Sequence, residues 1–471
     1  MSRILCAFTA MVTLLGFATQ SAIAELRVHG LFRDNAVLQR DVKLPVWGTT
    51  KSDQPVTVQF ADRSATATPK DGRWRVEFAP FSANDQPQTL KITQLNNKIE
   101  LKNVLIGDVW ICGGQSNMYV PLRDSEGSRE AIEKSANDQL RLFFINPFPA
   151  DETHPQEPLD FVDGNWEISG PKTSHGFTAV GYYFGRELQK EVKVPVGLIE
   201  SCLGGTSAER WLSREAMESN PKLQGSTEGR RYELYNGLIA PLKDFPVRGF
   251  LWYQGESNSP RSWQYRDLLP ALIKNWRDDW KLGDLPFLVV QLPGYERIHD
   301  EPSESDWADM REAQLFVSQT VPNVGLVVTT DLGDEHDVHP RRKKEVGERL
   351  ALAARAMSYG EKIPYSGPIY KSTKVEGNKI VVEFSHIGKG LTGKGGTLTG
   401  FTIAGADRKF HNAFAKIVGD RVEVFADEVP EPVAVRYGWA KYPVVNLWNK
   451  DGLPASPFRT DDFPLPTRDN K

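Results

Sequence analysis

Hydrophobic and polar residues alternate along the first part of the chain, which is the pattern of strands that bury one face. Residues 56–60 alternate in this way, and a second run of the same kind spans residues 74–78. The dipeptide Asp-Gly at 71–72 lies between these two runs and is a hairpin signal. Several short strands at this spacing predict a β-sandwich domain over residues 25–104.

The pattern changes after residue 104, where apolar residues become continuous. Such runs are typical of strands that are covered on both faces, as in a parallel sheet. Between the runs, apolar residues recur every three or four positions, which indicates helices. The order of these segments predicts an α/β domain over residues 105–360, with helices on both sides of a parallel sheet. The predicted strands lie at 104–106, 109–111, 196–199, 249–253, 287–292 and 324–329, and the predicted helices at 178–190 and 346–357.

The alternating pattern returns after about residue 360. Residues 380–384 and 422–424 alternate between apolar and polar side chains, and glycines interrupt the segment. These features predict a C-terminal β-rich region over residues 361–471. Two arrangements fit the pattern: a domain of its own, or strands that pair with those of the N-terminal region.

The first 24 residues have the features of a secretion signal. Arg3 is followed by a mostly apolar stretch from 4 to 17, and Ala22 and Ala24 fit a small-x-small cleavage site. The apolar stretch is shorter than the roughly 20 residues that are needed to span a bilayer. We therefore predict that residues 1–24 are removed and that the protein is exported to the periplasm or secreted.

The overall charge argues against two classes of partner. The 471 residues carry a formal net charge of −4. Nucleic acids and anionic membranes are bound through an excess of basic residues, which this chain lacks. The longest basic run, at 341–344, opens a predicted helix and is predicted to form a solvated face. We therefore expect neither nucleic acid nor, after signal cleavage, a membrane as a partner.

Two of the three cysteines, Cys112 and Cys202, remain after removal of the leader. Each ends an apolar run and precedes a pair of glycines, so both are expected near strand ends. A disulfide between them is one alternative in an oxidising compartment, and two buried thiols on neighbouring strands are the other. Two cysteines alone are insufficient for a structural zinc site.

Residues whose side chains or N–H groups could take part in catalysis follow four of the predicted strands. They lie at the edge where a doubly wound sheet places its sites. A serine nucleophile needs a base that removes its proton, and ester chemistry needs N–H donors that bind the oxyanion. Groups of both kinds are present at these strand ends. In chain order they are Ser116, Gly204 and Gly205, Gln254 and Asn258, and the loop 331–340 with its acidic residues and histidines.

The loop 331–340 permits more than one assignment of the base and the acid. His339 follows Asp337 by two positions, while His336 and Asp334 are competing candidates. The acidic residues also permit a second interpretation, as a metal site, although their spacing departs from that of a Ca²⁺ loop. The residues alone therefore leave the base, the acid and the class of site open.

The ordered combination of four motifs resembles the sialate O-acetylesterase family, which belongs to the wider SGNH/GDSL hydrolases. The motifs are Gly-Gly-Gln-Ser-Asn-Met at 113–118, Gly-Gly-Thr at 204–206, Trp-Tyr-Gln-Gly-Glu-Ser-Asn at 252–258 and Asp-Val-His-Pro at 337–340. The segments 37–41 and 44–48 are similar to the leading β-domain of that family. The resemblance extends from about residue 27 to about residue 355.

The resemblance implies an α/β fold with a flavodoxin-like SGNH hydrolase domain, flanked by a β-sandwich or jelly-roll-like region. It implies a serine triad that uses neither a metal nor a cofactor. By position, Ser116 matches the nucleophile, His339 the base and Asp337 the acid, with Asp334 as the alternative acid. The implied oxyanion-hole donors are the Ser116 N–H, Gly204 or Gly205, and Gln254.

Two positions depart from the pattern of the wider superfamily. Gln115 stands where most members have aspartate, which is normal for this branch alone. The superfamily usually places its acid three positions before the histidine, and here that position is His336. The choice of acid therefore stays open between Asp337 and Asp334.

The expected activity is that of a serine-dependent carbohydrate acetylesterase that acts on acetylated polysaccharide or oligosaccharide of the xylan or xyloglucan type. Arg210, Trp252 and Asn258 are predicted to contact this substrate. Sialate O-acetyl esters are the alternative substrate, because the carboxylate of sialic acid would favour an arginine partner. A carbohydrate-binding protein without catalysis is the second alternative, which the two β-rich ends support.

Overall fold

The computed structural model describes residues 25–145, 155–223 and 231–470. The predicted leader at 1–24 lies outside the described residues, so the expectation of export stays a prediction. Within the described ranges, we find no helix that is both long enough and apolar enough to cross a membrane.

Short strands form the N-terminal region, as the alternating pattern predicts. They are β1 (Arg27–Val28), β2 (Val37–Gln39), β3 (Leu44–Thr49), β4 (Val56–Phe60), β5 (Arg63–Ala67), β6 (Arg73–Phe78) and β7 (Asn84–Gln94). Exposed and buried residues alternate strictly along β6, because one face of the strand packs on the core. Buried residues of these strands belong to one hydrophobic cluster that extends into the rest of the molecule.

The hairpin predicted between β4 and β6 is wrong. β4 pairs with β5, and β6 pairs with β3. The sequence of β5 consists of small and polar residues and one arginine, so its hydrophobicity gives no sign of a strand. Asp71 and Gly72 do form a tight turn in which both have positive φ, but this turn connects Lys70 to Arg73.

One long strand, β8 (Asn97–Gly114), connects the N-terminal region to the central sheet. Its first part pairs with β7 in antiparallel orientation. From Val104 onward every residue of β8 is buried. The strand therefore crosses the predicted domain boundary between residues 104 and 105 without interruption.

The continuous apolar runs form a mostly parallel sheet, which confirms the mixed α/β class. Its other strands are β9 (Asn137–Ile145), β10 (Gly164–Ser169), β11 (Val196–Cys202), β12 (Gly249–Tyr253), β13 (Phe287–Val290) and β14 (Val324–Val327). The spatial order is β9-β11-β8-β12-β13-β14, with all neighbours parallel. β10 extends the sheet beyond β9 as an antiparallel edge strand.

Helices cover both faces of this sheet. They are α1 (Ser116–Tyr119), α2 (Ser128–Glu133), α3 (Ala179–Val192), α4 (Arg214–Glu218), α5 (Ser262–Trp280), α6 (Asp306–Thr320) and α7 (Lys343–Ser358). α3 and α7 pack in one cluster with Trp110, whereas α5 and α6 pack in another with Ile111. Adjacent residues of a strand point to opposite faces, so these two clusters lie on opposite sides of β8. The helices predicted at 178–190 and 346–357 correspond to α3 and α7.

The C-terminal strands pair with one another, which answers the question that the sequence pattern leaves open. They are β15 (Ile369–Glu376), β16 (Lys379–Ser385), β17 (Leu391–Gly393), β18 (Phe401–Ala404), β19 (Phe410–Asn412), β20 (Phe414–Val418), β21 (Arg421–Phe425), β22 (Ala434–Tyr437), β23 (Leu447–Asn449) and β24 (Phe458–Arg459). They form sheets of the orders β15-β16-β21-β20, β17-β23 and β19-β18-β22-β24. A hydrophobic cluster of their own lies between these sheets.

Cys112 and Cys202 are free, buried thiols on the neighbouring strands β8 and β11. The alternative of two buried thiols therefore describes this pair, and the disulfide alternative does not. Burial raises the pKa of both thiols well above the ordinary value, so both carry their proton at neutral pH.

Candidate active site

The ends of three neighbouring parallel strands bring the predicted motifs together. β11 and β12 flank β8, and Gly114 at the end of β8 is in register with Cys202 on one side and Tyr253 on the other. Parallel strands run in the same direction, so the residues that follow them meet at one edge of the sheet. Three groups of predicted site residues therefore lie at this edge: Ser116, the glycine pair at 204–205, and Gln254.

Ser116 lies on a sharp turn between β8 and α1. The turn depends on Gly114, whose φ of +137° is strained for any residue that carries a side chain. A Cβ atom at Gly114 would also lie 2.2 Å from the carbonyl oxygen of Tyr253. Ser116 is the first residue of α1 and is half-buried, and its N–H has no acceptor within that helix. The turn therefore places a hydroxyl and an N–H donor together at the sheet edge.

The glycine pair at 204–205 supplies backbone next to Ser116. A Cβ atom built on Gly204 would lie 3.5 Å from the Cβ atom of Ser116. Both glycines are exposed, and Gly205 has a φ of +68°. Backbone N–H groups beside a nucleophile are the usual donors of an oxyanion hole, so the position of this pair suits that role.

His339 and Asp337 form a pair on the loop after β14. The Nδ1 atom of His339 lies 3.5 Å from Oδ1 of Asp337, and the same oxygen accepts the backbone N–H of His339 at 2.8 Å. The His339 side chain is 39% exposed. Partial burial lowers the pKa of His339 below 6.5, an effect that Asp337 opposes and Lys343 reinforces. The imidazole is therefore neutral at neutral pH, as a base must be.

Asp334, the alternative acid, has a different task. Its Oδ1 atom accepts the backbone N–H groups of His336 at 2.8 Å and of Asp337 at 3.2 Å. These hydrogen bonds shape the loop in front of the histidine. In this arrangement Asp334 supports the turn, and Asp337 is the carboxylate that contacts His339.

Gln254, one of the predicted oxyanion donors, is turned into the protein. The residue is fully buried, and its side-chain amide donates towards Gln115 Oε1 and the Thr206 carbonyl at 3.1 Å each and towards Asn258 Oδ1 at 2.8 Å. Its Oε1 atom accepts the Tyr265 hydroxyl at 2.7 Å. These partners occupy both protons of the amide, so oxyanion binding by Gln254 stays a prediction that would require one of these hydrogen bonds to be exchanged. Through these hydrogen bonds, Gln254 connects the turn that carries Ser116 to the loop that carries the glycine pair at 204–205.

The predicted contacts of Trp252 and Asn258 with substrate are wrong. Trp252 is fully buried in the core, where its indole N–H donates to the Tyr265 hydroxyl at 3.0 Å. Asn258 is 1% exposed, and its Oδ1 atom accepts the backbone N–H of Ala208 at 2.9 Å as well as the Gln254 amide. Both side chains hold the site together from within, where a polysaccharide has no access.

Arg210 forms a salt bridge with Glu233, and the two side chains are only 11% and 5% exposed. This contact uses one of the five N–H donors of the guanidinium, so burial limits the access of a substrate carboxylate to Arg210 more than the pairing does. The predicted contact between Arg210 and substrate stays a prediction. Tyr119, which lies three residues after Ser116 in α1, has a ring that is 51% exposed.

Two residues at the site are missing from the sequence-based predictions. Asn117 is fully buried, and its Nδ2 atom donates to Glu256 Oε1 at 2.6 Å and to the Val338 carbonyl at 2.9 Å. Lys343 is only 1% exposed although it belongs to the basic run at 341–344. The prediction of a solvated face is therefore wrong for this lysine. Its position three residues before the buried Val346 of α7 is the signal that would have indicated burial.

The carboxylates of the 331–340 loop have partners within the protein. Asp331 forms two hydrogen bonds of 2.7 Å with Arg349, and Glu335 accepts the Ile298 N–H at 3.1 Å. Across residues 25–145, 155–223 and 231–470, no three acidic, histidine or cysteine side chains converge as metal ligands.

Similarity to known proteins identifies the family of this chain. A family model described as a carbohydrate esterase, sialic acid-specific acetylesterase, matches residues 106–356. The chain is similar to the crystal structure of a carbohydrate acetylesterase from Xanthomonas citri, with 39% sequence identity and a TM-score of 0.87. That alignment covers 93% of this chain and 100% of the Xanthomonas chain.

Mammalian proteins are similar over most of their length. The human sialate O-acetylesterase is 28% identical over 418 residues, which cover 80% of this chain and 79% of the human protein. The rat sialate O-acetylesterase is 30% identical over 400 residues, which cover 70% of this chain and 73% of the rat protein. The chain therefore belongs to the sialic acid-specific acetylesterase family of carbohydrate esterases, and it is an ester hydrolase.

Proposed function

We propose that the protein is an exported serine esterase that removes acetyl groups from polysaccharide or oligosaccharide of the xylan or xyloglucan type. The observation that carries this proposal is the placement of Ser116 beside Gly204, with the His339–Asp337 pair on the loop that Asn117 ties to the same turn. These groups come from distant parts of the chain. A protein that only bound carbohydrate would have no need to assemble them.

The proposed reaction proceeds through an acetyl-enzyme. His339 takes the proton of Ser116 while the Ser116 oxygen attacks the acetyl carbonyl carbon. Asp337 orients the imidazole and stabilises the imidazolium. The N–H groups of Ser116 and of the glycine pair at 204–205 donate to the oxyanion.

Collapse of the tetrahedral intermediate breaks the ester bond, and His339 gives its proton to the departing sugar oxygen. Water then attacks the acetyl-enzyme, with His339 as base for the second time. This step releases acetate and restores the serine hydroxyl.

The order of the strands supports a flavodoxin-like SGNH assignment. If the β9–β10 hairpin is set aside, the spatial order is β11-β8-β12-β13-β14. Numbered along the chain, this order reads 2-1-3-4-5, which is that of flavodoxin-like sheets. In such sheets the ligand binds at the carboxyl ends of the strands, next to the first strand. Ser116 lies two residues after the end of that strand here.

The choice of substrate follows from the charges and aromatic rings around Ser116. Arg210 is paired with Glu233 and only 11% exposed, which disfavours it as a partner for the carboxylate of sialic acid. The exposed Tyr119 ring near the nucleophile offers an apolar face on which a neutral sugar ring can stack. The similarity to a bacterial carbohydrate acetylesterase favours the polysaccharide substrate, and the names of the mammalian relatives favour the sialate alternative.

The proposal is tested by measuring acetate release from acetylated xylan, acetylated xyloglucan and O-acetylated sialic acid. We expect the wild-type protein to hydrolyse at least one of the polysaccharides with a kcat/KM that exceeds the value for the sialate ester by at least about tenfold. Ser116→Ala, checked for an unchanged Tm, serves as the matched control and is expected to be inactive on all three. Faster hydrolysis of the sialate ester would support the alternative, and no release from any substrate would refute the proposed function.

A further inference from the structure

A buried lysine lies shortly after the histidine loop, which is the loop 331–340 that carries His339. Lys343, the first residue of α7, donates from its ammonium to the Oδ1 atom of Asn117. The same ammonium lies 5.3 Å from the centroid of the Tyr253 ring, which is itself buried. Lysine is rarely buried to this extent, because the removal of an ammonium group from water is costly. A lysine at this position therefore needs a reason beyond packing.

Asn117 gives this lysine access to the reacting groups. The Asn117 side chain accepts from Lys343, and it donates to Glu256 Oε1 and to the Val338 carbonyl. Asn117 directly follows Ser116, and Val338 directly precedes His339. One side chain thus joins the Ser116 turn, the loop after β12 and the histidine loop, and Lys343 fixes its orientation.

We infer that Lys343 is a positioning residue for the esterase reaction. Through Asn117, it fixes the histidine loop against the Ser116 turn. The inference rests on the proposed function. Lys343 is only 1% exposed and acts through the Asn117 side chain, without contact with the substrate. Its hydrogen bond leaves Asn117 a single useful orientation, in which the carbonyl oxygen faces the lysine and the amide faces Val338 and Glu256.

The charge of Lys343 has a second effect on the same histidine. The charged groups that act on His339 are Asp337, which favours the imidazolium, and Lys343, which disfavours it. Those that act on Lys343 are Glu256 and Asp337, and burial lowers the pKa of Lys343 to about 7 in spite of both. Burial also raises the pKa of Glu256. A cation at this position therefore helps to keep His339 neutral, and its removal raises the pKa of His339.

The first test replaces Lys343 with an apolar side chain of similar length. We expect Lys343→Met to reduce kcat about 10- to 100-fold with little change in KM, because misplacement by about 1 Å costs this much in rate. The acid limb of kcat/KM is expected to move to higher pH. The Tm should stay unchanged or rise, because an apolar residue in place of a buried charge is often neutral or stabilising. A purely structural role would instead lower the Tm and leave the pH profile in place.

Two further variants separate the hydrogen bond from the charge. Lys343→Gln keeps a donor for Asn117 without the charge, so it should retain more of kcat than the methionine variant while its acid limb shifts by the same amount. Lys344→Met is the matched control, because Lys344 is the next residue and is 55% exposed. This control should leave kcat, KM and the pH profile unchanged.

Each outcome of this experiment supports or overturns the inference. If Lys343→Met keeps kcat within about twofold and an unshifted acid limb, Lys343 has no positioning role. Failure of both Lys343 variants to fold would also overturn it, because it predicts that a neutral side chain is tolerated there. The proposed function is tested separately: it fails if hydrolysis by the wild-type protein does not depend on Ser116, whatever the Lys343 variants do.

Discussion

Asp337 is the carboxylate that lies behind His339, and Asp334 supports the turn that precedes it. We therefore expect Asp337→Asn to reduce kcat by roughly 10⁴-fold, the loss observed when an orienting aspartate is replaced in a serine protease. Asp334→Asn should keep kcat near the wild-type value, because its amide oxygen still accepts the two backbone N–H groups. Steady-state kinetics on p-nitrophenyl acetate measure both variants. Equal losses in the two variants would contradict this assignment of the acid.

The pH dependence of the reaction reports on His339. Burial lowers the pKa of His339 below its ordinary 6.5, and Lys343 acts in the same direction against Asp337. The base must be neutral, so kcat/KM should fall as the pH drops through this lowered pKa. A kcat/KM profile from about pH 4 to about pH 8 should therefore show an acid limb with an apparent pKa below 6.5. A limb centred well above 6.5 would show that another group titrates.

At the level of residues, sequence motifs predict which side chains gather at the site better than they predict what each one does. Gly204 lies next to Ser116 and Asp337 lies next to His339, while the catalytic roles of these residues stay predictions. Gln254 was predicted as a donor, but its amide is satisfied inside the protein. Hydrogen-bond partners come from distant segments, so a motif does not reveal whether an amide faces the substrate or the core.

At the level of elements, the turn from β8 into α1 decides where Ser116 lies. A Cβ atom at Gly114 would meet the Tyr253 carbonyl at 2.2 Å, and the φ of Gly114 is also strained for other residues. We expect Gly114→Ala to lower the free energy of unfolding by about 3 kcal/mol and to reduce activity. Urea unfolding followed by tryptophan fluorescence measures the change.

A second glycine supplies the control for this prediction. Gly377 also has a positive φ, of +65°, but no atom lies within 4 Å of a Cβ built there. Gly377→Ala should therefore cost only about 1 kcal/mol of strain and leave activity intact. Equal losses of stability in the two variants would mean that the contact between the added Cβ atom and the Tyr253 carbonyl of β12 contributes nothing to the destabilisation of Gly114→Ala.

The hydrophobic pattern predicts a strand or helix correctly where the buried residues are continuous or strictly periodic along the chain. The parallel strands β11 and β12 and the helices α3 and α7 were predicted because their buried faces are wide and apolar. β5 could not be predicted in this way, because a strand of small and polar residues is held by its neighbours. Strand pairing likewise depends on long-range contacts that the local pattern does not contain.

At the level of the whole molecule, Arg311 of α6 attaches the C-terminal region to the central domain. This fully buried side chain donates to the carbonyls of Leu292 and Pro293 and to those of Ala440 and Lys441, at 2.7–2.8 Å. Arg311→Met would remove all four hydrogen bonds, and only the carbonyls of Pro293 and Lys441 would keep a donor, from Trp307 and Tyr295. We therefore expect a loss of about 3–5 kcal/mol in the free energy of unfolding. Limited proteolysis should then release the C-terminal strands more rapidly.

An exposed arginine is the control for this effect. Arg421 is 59% exposed and pairs with Glu383 at 3.1 Å on the surface. Arg421→Met should change the free energy of unfolding by less than about 1 kcal/mol. If the two arginine variants were equally stable and equally resistant to protease, Arg311 would not hold the regions together.

The attachment through Arg311 shows why the sequence left the position of the C-terminal region open. Alternating residues reveal which face of a strand is buried, but they do not reveal the partner against which it is buried. The continuity of β8 across residues 104 and 105 was hidden for a similar reason. The hydrophobic pattern changes near residue 104 because the first part of β8 is covered on one face and the second part on both faces, within a single strand.

The central claim is that Ser116 is the nucleophile, and the most direct test is kcat/KM for p-nitrophenyl acetate in the wild-type protein and in Ser116→Ala. The alanine variant should fold with the wild-type Tm, because Ser116 is half-buried and its side chain is small. We expect its kcat/KM to fall by at least about 10³-fold, as in other enzymes that lose a nucleophilic serine. A folded Ser116→Ala protein that retained kcat/KM within about tenfold of the wild-type value would contradict the claim.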